Sequence, residues 1–100
     1  MIQTVYDATR YKDLRIDWQA RRVTRSGRTV ALTPREFALL QALYDHRGHI
    51  MSRSDLLSTA WGYPCSGVTR TVDVHIQRLR RKLGLEQEIQ TVYRVGYKLH

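Results

Sequence analysis

The sequence of 100 residues has a single cysteine, Cys65, and no long apolar run. One cysteine cannot form an internal disulfide, so a hydrophobic core must hold the fold together, and scarce cysteine is typical of a reducing compartment. No segment approaches the ~20 apolar residues of a membrane-spanning helix, and the N-terminal segment lacks the apolar stretch of a secretory signal peptide. We therefore expect a cytoplasmic protein that does not associate with membranes.

Motifs for catalysis and metal binding are also missing. The four histidines and Cys65 do not have the spacing of metal ligands, and His46 and His49 instead flank Gly48, which suits the end of a helix. Neither a nucleophile motif nor a glycine-rich phosphate loop occurs in the sequence. We expect no enzymatic activity, no metal and no cofactor, and we interpret Cys65 as a loop residue.

Acidic residues are few, with 9 Asp and Glu against 17 Lys and Arg, which gives a formal charge of +8. Residues 1–31 and residues 70–100 each carry seven basic and three acidic side chains, whereas residues 32–69 carry three of each. Arg outnumbers Lys by 14 to 3, and the arginine fork suits phosphates and base edges. Since 42% of the residues are hydrophobic, the chain can bury the core of one domain. The charge favours a nucleic-acid partner over a role in solubility alone.

The N-terminal third predicts an arm followed by a small sheet. Residues 1–12 have no clear hydrophobic period, so we interpret them as a linker or N-terminal arm, with one domain over residues 13–100. Short β-rich segments follow at 14–17, 21–25 and 28–32, and Ser26-Gly27 is typical of a hairpin turn. These features predict a small antiparallel sheet.

Capping signals predict two helices in the middle of the chain. Thr33, Pro34 and Glu36 form a capping-box sequence, so a helix should begin at Pro34, and Gly48 is a plausible terminator. Its apolar face comprises Phe37, Leu39, Leu40, Leu43 and Tyr44.

A second capping signal predicts a shorter helix. Ser52 precedes Asp55 by three residues, and apolar positions follow at helical spacing. Those positions are Leu56, Leu57, Ala60 and Trp61. The next segment contains Gly62, Pro64 and Gly67, which predict a loop.

The segment "RTVDVHIQRLRRKLG", residues 70–84, combines five basic residues and one acidic residue with an apolar period. At about 100° per residue, its apolar residues share one narrow arc and its polar residues share another. The apolar set is Val72, Ile76, Leu79 and Leu83, and the polar set is Thr71, His75, Arg78 and Lys82, flanked by Val74 and Arg81. After this helix, residues 89–93 and 96–99 predict a β-hairpin.

Three helices between β segments, ending in a hairpin, predict an α+β winged helix-turn-helix fold. The apolar stripe of the last helix would anchor it to the domain and leave the opposite face for the major groove of DNA. In that groove, Arg78 suits guanine, and Val74 and Thr71 suit a thymine methyl group. Arg70 and His75 suit phosphates.

The runs "LTPREFALL", "MSRSDLL", "AWG", "RTVDVHIQRLRRKL" and "TVYRVGYKL" resemble the DNA-binding output domain of OmpR/PhoB-type response regulators over residues 14–99. The resemblance implies sequence-specific DNA binding for a two-component transcriptional regulator. It also implies an N-terminal sheet packed on three helices, a recognition helix at about 69–83 in the major groove, and a wing at about 89–99 beside the minor groove or the DNA backbone.

Individual roles follow from the same resemblance. Base-reading positions are Thr71, Val74 and Arg78, and the amide of Gln77 could read adenine or contact a phosphate. Implied phosphate contacts are Arg53, Trp61, Arg70, His75, Arg80, Thr91 and Tyr97. The loop implied to contact RNA polymerase contains Gly62, Tyr63, Pro64, Ser66 and Gly67.

The wing departs from the family pattern. Where the family usually has Val-Arg-Gly, this chain has Val92, Tyr93 and Arg94, so the minor-groove arginine is displaced by one position. A shift of one residue in a strand reverses the face of a side chain, so Arg94 should miss the groove unless the tip adopts a different turn.

The resemblance also implies partners. These are promoter DNA with directly repeated sites, on which monomers pair head to tail, and RNA polymerase. The phosphorylatable receiver domain that normally precedes such a domain is missing from this chain, which predicts either a fragment or a stand-alone regulator.

Two alternative functions follow from the same sequence. A basic RNA-binding or ribosome-associated protein would place aromatic residues on its sheet to stack single-stranded bases, whereas the basic residues here concentrate on a helix suited to a duplex. A winged helix that contacts only proteins would not show salt-sensitive binding to duplex DNA.

Overall fold

A computed structural model describes residues 8–62 and 69–100, which form the expected α+β winged helix-turn-helix fold. The first unit contains a four-stranded antiparallel sheet with strand order β1-β2-β3-β4. Its strands are β1 Thr9–Tyr11, β2 Leu14–Asp17, β3 Arg22–Arg25 and β4 Arg28–Val30.

Alternating burial identifies the inner face of this sheet. Leu14, Ile16 and Val23 are buried, and Ile16 lies directly opposite Val23 on the neighbouring strand. Ser26 and Gly27 connect β3 and β4 with φ angles of 50° and 83°. Two central residues with positive φ are typical of a hairpin turn that matches the strand twist, so the predicted turn is confirmed.

Strand β1 shortens the predicted N-terminal arm. Residues 9–11 were expected to belong to that arm, but they pair with β2, and the indole nitrogen of Trp18 donates to Thr9 Oγ1 at 2.8 Å. A strand of three residues is too short to show a period in the sequence. Residues 1–7 lie outside the described residues.

The second unit, Leu32–His100, carries the three helices and a three-stranded sheet with strand order β5-β7-β6. Its elements are α1 Pro34–Asp45, β5 Met51–Ser52, α2 Arg53–Trp61, α3 Arg70–Leu83, β6 Ile89–Val92 and β7 Gly96–Leu99. The third helix and the hairpin are the predicted recognition helix and wing.

Local sequence explains how α1 and α2 begin. Thr33 and Glu36 form both hydrogen bonds of the predicted capping box, with Thr33 Oγ1 accepting from the Glu36 N–H at 3.1 Å. Ser52 Oγ likewise accepts from the Asp55 N–H at 3.0 Å. Such caps satisfy amides that have no partner inside the helix. Helix α1 ends at Asp45, earlier than expected, and Gly48 lies in the turn that follows.

Strand β5 was not predicted, because only two residues form it and its partner lies far along the chain. Met51 pairs with Tyr97, and Ser52 pairs with Gly96. A Cβ atom at Gly96 would collide with the backbone carbonyl of Met51, so only glycine allows this close approach. The pairing connects the wing to the start of α2.

The core of the second unit includes the predicted stripe of α3, whose residues all have 0% exposure: Val72, Ile76, Leu79 and Leu83. The apolar face of α1 is also buried except at Tyr44, and Leu56, Leu57 and Ala60 bury one face of α2. Within the described ranges, no helix has the length and apolar character needed to cross a membrane.

Candidate nucleic-acid interface

The face of α3 opposite its buried stripe is exposed and basic. Val74 is 44% exposed, and Arg70, Gln77, Arg78 and Arg81 are exposed as well. Thr71 and His75 on the same side are half-buried. Since Val72 and Leu79 anchor the helix, these exposed side chains are held on a fixed surface, as a major-groove reader requires.

A carboxylate at the first turn of α3 joins three elements. Arg53 Nε, at the start of α2, donates to Asp73 Oδ1 at 2.8 Å, and the Tyr97 hydroxyl of β7 donates to the same oxygen at 2.5 Å. The Arg53 guanidinium also lies 5.2 Å from the centre of the Tyr97 ring. We call Arg53, Asp73 and Tyr97 the Asp73 cluster.

Contacts with Asp73 change the pKa values of Arg53 and Tyr97. The hydrogen bond to Asp73 raises the pKa of Arg53 above its ordinary value, so the guanidinium stays charged. Burial raises the pKa of Tyr97, and the hydrogen bond to Asp73 raises it further, so the phenol stays neutral. The only acidic residue of α3 therefore connects this helix to α2 and β7.

Arg80 joins α3 to the wing. Its Nη2 donates to the Ile89 carbonyl at 2.7 Å and to Thr91 Oγ1 at 2.6 Å, while Nε also donates to the Ile89 carbonyl, at 3.1 Å. The guanidinium lies 5.3 Å from the centre of the Tyr97 ring. The structure thus gives Arg80 internal partners on β6, and its Nη1 lies 3.5 Å from Gln77 Oε1.

Trp61 and His75 meet where α2 ends. Their rings are 5.1 Å apart in an edge-to-face arrangement, and the Arg35 guanidinium lies 5.0 Å from the Trp61 ring. Arg35 also donates to the Ala60 carbonyl at 3.0 Å. His75 Nδ1 lies 2.9 Å from the Thr71 carbonyl, which can only accept, so an outside ligand would bind His75 at Nε2.

Lys82 forms an ion pair with a buried carboxylate of α1. Lys82 Nζ lies 2.7 Å from Glu36 Oε1, and Glu36 has 0% exposure. Burial opposes ionisation of Glu36, but the bonds from Lys82 and the Thr33 N–H outweigh it and hold the pKa of Glu36 below its ordinary value. Lys82 therefore joins α3 to α1.

The wing ends in a tight turn over residues 93–95. The Val95 N–H donates to the Val92 carbonyl at 2.9 Å, and Arg94 has a φ of 64°. This left-handed conformation costs a residue with a side chain on the order of 1 to 2 kcal/mol relative to the right-handed region. Arg94 belongs to the turn and not to a strand. The alternation of strand faces, on which our expectation for Arg94 rested, therefore does not determine where its side chain points.

Two side chains project from that turn together. Tyr93 is 79% exposed, and the Arg94 guanidinium lies 5.3 Å from the centre of its ring. Val95 is 47% exposed. We call Tyr93 and Arg94 the wing-tip pair.

The expected site residues therefore fall into separate groups. Thr71, Val74, Gln77 and Arg78 share the outer side of α3, and Arg70 lies at its first turn. Tyr97 is only 3% exposed and its hydroxyl bonds to Asp73, which argues against the direct phosphate contact expected for it. Sequence reasoning missed the role of Asp73 and the ion pair of Glu36 with Lys82, because the partners lie 20 to 46 residues away along the chain.

The loop between α2 and α3 is described only at its two ends, Gly62 and Thr69. Gly62 ends the helix with a φ of 79°, and its N–H donates to the Ser58 carbonyl at 2.8 Å. Tyr63, Pro64, Ser66 and Gly67, expected to contact polymerase, lie outside the described residues, as does Cys65. Within the part described, no group of three or more His, Cys, Asp or Glu residues is placed to hold a metal ion.

A helix pair, a third helix with an exposed basic face and a hairpin tied to that helix define a winged helix-turn-helix domain. Residues 27–99 match the family described as "Transcriptional regulatory protein, C terminal". The chain belongs to this family.

Comparison with known proteins agrees with that assignment. The chain is 46% identical over 89 residues to the transcriptional regulatory protein CseB of Streptomyces coelicolor, covering 89% of this chain and 38% of that protein. The CseB proteins of two Streptomyces species and YkoG of Bacillus subtilis are matched over 37% to 40% of their length, so the chain spans about two fifths of these regulators.

Solved structures show the same fold. The DNA-binding domain of Klebsiella pneumoniae RstA, in complex with the RstA box, is 38% identical with a TM-score of 0.79, and the match covers 92% of this chain and 95% of that one. The response regulator DrrB of Thermotoga maritima, an OmpR/PhoB homologue, is 31% identical with a TM-score of 0.79, covering 93% of this chain and 44% of that one. The expected resemblance to OmpR/PhoB-type regulators is confirmed.

Proposed function

We propose that this chain binds double-stranded DNA in a sequence-specific manner, as the output domain of a two-component transcriptional regulator. The observation that carries the proposal is the division of α3 into a fully buried apolar stripe and an exposed basic face. A helix anchored in this way can lie in the major groove, which admits an α-helix and displays a distinct pattern for each base pair.

Base reading is assigned to the exposed outer side of α3. Arg78 would donate to O6 and N7 of a guanine, and Gln77 would pair with an adenine or a phosphate. Val74 and Thr71 would contact the methyl group of a thymine.

Backbone contacts are assigned around this surface. Arg70 would bind a phosphate at the start of α3, and His75 Nε2 and Trp61 would lie along the same groove wall. Arg53 would bind a phosphate through the guanidinium nitrogens that do not bond to Asp73. Thr91 has its hydroxyl engaged by Arg80, so Arg80, Thr91 and Tyr97 would mainly position the wing.

The remaining partners rest on the family alone. We propose promoter DNA with directly repeated half-sites, on which monomers pair head to tail, and contact with RNA polymerase through the loop that begins at Gly62. A receiver domain would occupy the additional length of the relatives. Such a regulator would act in the bacterial cytoplasm, where the chromosome lies, and would need no catalytic group of its own.

Selection from a random duplex pool tests the proposed function. The isolated chain, incubated with random-sequence duplexes through repeated rounds, should enrich one short motif that occurs twice in direct repeat. Affinity for that motif should fall steeply with salt, because phosphate contacts release counterions. A pool that stays random, or single-stranded RNA that competes as well as the selected duplex, would contradict the proposal and favour the RNA-binding alternative.

A further inference from the structure

The wing-tip pair has a geometry that a lone arginine on a hairpin would not have. The Arg94 guanidinium is held against the Tyr93 ring, at 5.3 Å from its centre. Tyr93 itself is 79% exposed, so most of its surface faces solvent. A cation over an aromatic face is attracted by the ring quadrupole, which favours the two side chains moving as one unit.

The backbone of the turn holds the wing-tip pair in this position. Arg94 adopts a φ of 64° between Tyr93 and Val95, and the turn is closed by the bond from the Val95 N–H to the Val92 carbonyl. The Arg53 N–H also donates to the Val95 carbonyl, at 3.3 Å, which ties the tip to the start of α2. A strained residue that is held in place by its surroundings points to a role for its side chain.

The thickness of the pair decides where it fits on DNA. The minor groove of B-DNA is about 6 Å wide, and A-tracts narrow it further. The Arg94 Cζ and the centre of the Tyr93 ring are 5.3 Å apart, so the two groups lying side by side across the groove, with the van der Waals thickness of both outer faces added, are wider than about 6 Å. An intact pair therefore does not enter a narrow groove, whereas a single guanidinium would.

We propose that the wing-tip pair clamps the DNA backbone beside the recognition site, with Tyr93 packed on a deoxyribose and Arg94 on a phosphate. The clamp makes Tyr93 a contact residue and removes the preference for narrow A·T-rich grooves that an inserted arginine provides. The inference rests on the proposed function and specifies how the wing contributes to it.

The test uses the selected duplex with its flanks rebuilt on both sides, once as A-tracts and once as mixed G·C sequence. The parent should bind both forms within about twofold. Tyr93→Ala should weaken both by the same factor, roughly threefold to tenfold. Arg94→Ala should weaken both equally and lower the salt slope of log affinity by about one unit.

A matched control comes from the end of α1. There the Arg47 guanidinium lies 4.8 Å from the Tyr44 ring, and the neighbouring Gly48 N–H bonds to Leu99, at the opposite end of β7 from the tip. Arg47→Ala thus removes the same charge and a similar contact away from the wing, and it should leave binding to both duplexes nearly unchanged. The double variant Tyr93→Arg, Arg94→Gly should acquire a preference for the A-tract flank.

Two results would overturn the clamp. One is a parent that prefers the A-tract flank and loses that preference in Arg94→Ala, which would indicate insertion into the groove. The other is that neither wing-tip variant binds more weakly than Arg47→Ala, which would show that the tip does not touch DNA. A parent that binds neither duplex would contradict the proposed function itself, and this inference with it.

Discussion

The five basic side chains of α3 serve at least two purposes. Arg80 and Lys82 have internal partners on β6 and α1, whereas Arg70, Arg78 and Arg81 are exposed. No ion-pair partner of these three exposed arginines is found among the residues described here. Positive charge in this segment therefore both fastens the helix to the domain and lies on the surface that we propose to bind DNA.

Replacing Arg78 or Arg70 by alanine should weaken DNA binding in different ways. Arg78→Ala should cost about 1 to 3 kcal/mol on the selected site and relax discrimination at one base pair, because the lost fork reads guanine. Arg70→Ala should weaken all duplexes about equally and lower the salt slope by about one unit, because it binds a phosphate. The measurement is affinity for selected and scrambled duplexes over a salt series.

Arg81→Ala serves as the matched control, since it removes an exposed arginine from the same helix near its C-terminal end. The Arg81→Ala variant should keep the parent's preference for the selected duplex over the scrambled one. If Arg78→Ala weakened both duplexes equally while Arg70→Ala altered base preference, the helix would be rotated relative to the position proposed here.

For individual residues, the sequence predicted the exposure of side chains better than it predicted their hydrogen-bond partners. The arc containing Val74 and Arg78 followed from helical geometry alone and is exposed as expected. Tyr97 and Arg80 were expected to contact phosphates, but their partners come from elements 9 to 24 residues away. No local pattern reveals such bonds.

Helices α1 and α3 are connected by the ion pair between Glu36 and Lys82. Glu36 has a lowered pKa in the folded chain, so the pair stabilises the fold at pH values above the ordinary pKa of a glutamate, about 4.3. As the pH falls through the still lower pKa of the folded state, Glu36 becomes protonated and that contribution is lost. The ion pair between Glu36 and Lys82 therefore stabilises the fold more at neutral pH than in acid.

Lys82→Met should lower the free energy of unfolding at pH 7 by about 1 to 3 kcal/mol, because it leaves a buried carboxylate without its counterion. That range is below the usual cost of breaking a fully buried pair, since the Lys82 side chain is 35% exposed. The difference from the parent should shrink on acidification, because burial without Lys82 favours the neutral acid in the variant and the folded parent also takes up this proton below its lowered pKa. Chemical denaturation across a pH series measures it.

Lys98→Met provides the control, since Lys98 is a half-buried lysine of β7 for which the described residues supply no acidic partner. The free energy of unfolding of Lys98→Met should be nearly the same as that of the parent at every pH. A Lys82→Met variant as stable as the parent at pH 7, or one whose deficit grows in acid, would contradict the assignment.

Elements with their own start signal were predicted well. The capping box of α1, the Ser52 cap of α2 and the apolar period of α3 placed these helices within a few residues, because those signals are local. Strands β1 and β5 were missed, since Thr9–Tyr11 and Met51–Ser52 are strands only through their pairing with β2 and β7. The hairpin containing Arg94 was predicted, but the left-handed conformation of Arg94 was not, because left-handed φ angles usually mark glycine.

For the molecule as a whole, the described surface offers little for a stable dimer in solution. Its exposed large hydrophobic residues are Ile50, Val74, Tyr93 and Val95, and two of these belong to the proposed DNA contacts. Obligate dimers bury large apolar interfaces, which four separate side chains do not supply. The formal charge of +8 also opposes association without a polyanion.

The isolated chain should therefore sediment as a monomer, and two copies should bind a duplex that carries directly repeated half-sites. Analytical ultracentrifugation with and without that duplex measures both states. A duplex with one half-site scrambled is the control and should bind one copy with lower affinity. A tight dimer in the absence of DNA would contradict this expectation.

The central claim, that the exposed face of α3 reads bases from the major groove, is tested most directly by removing one acceptor from the DNA. Replacing each guanine of the selected duplex in turn by 7-deazaguanine deletes N7 and leaves base pairing intact. At one position the parent should lose about threefold to tenfold in affinity, while Arg78→Ala should lose nothing further there. If no guanine is sensitive in the parent, or if Arg78→Ala retains the full loss at every position, Arg78 does not read guanine from the major groove.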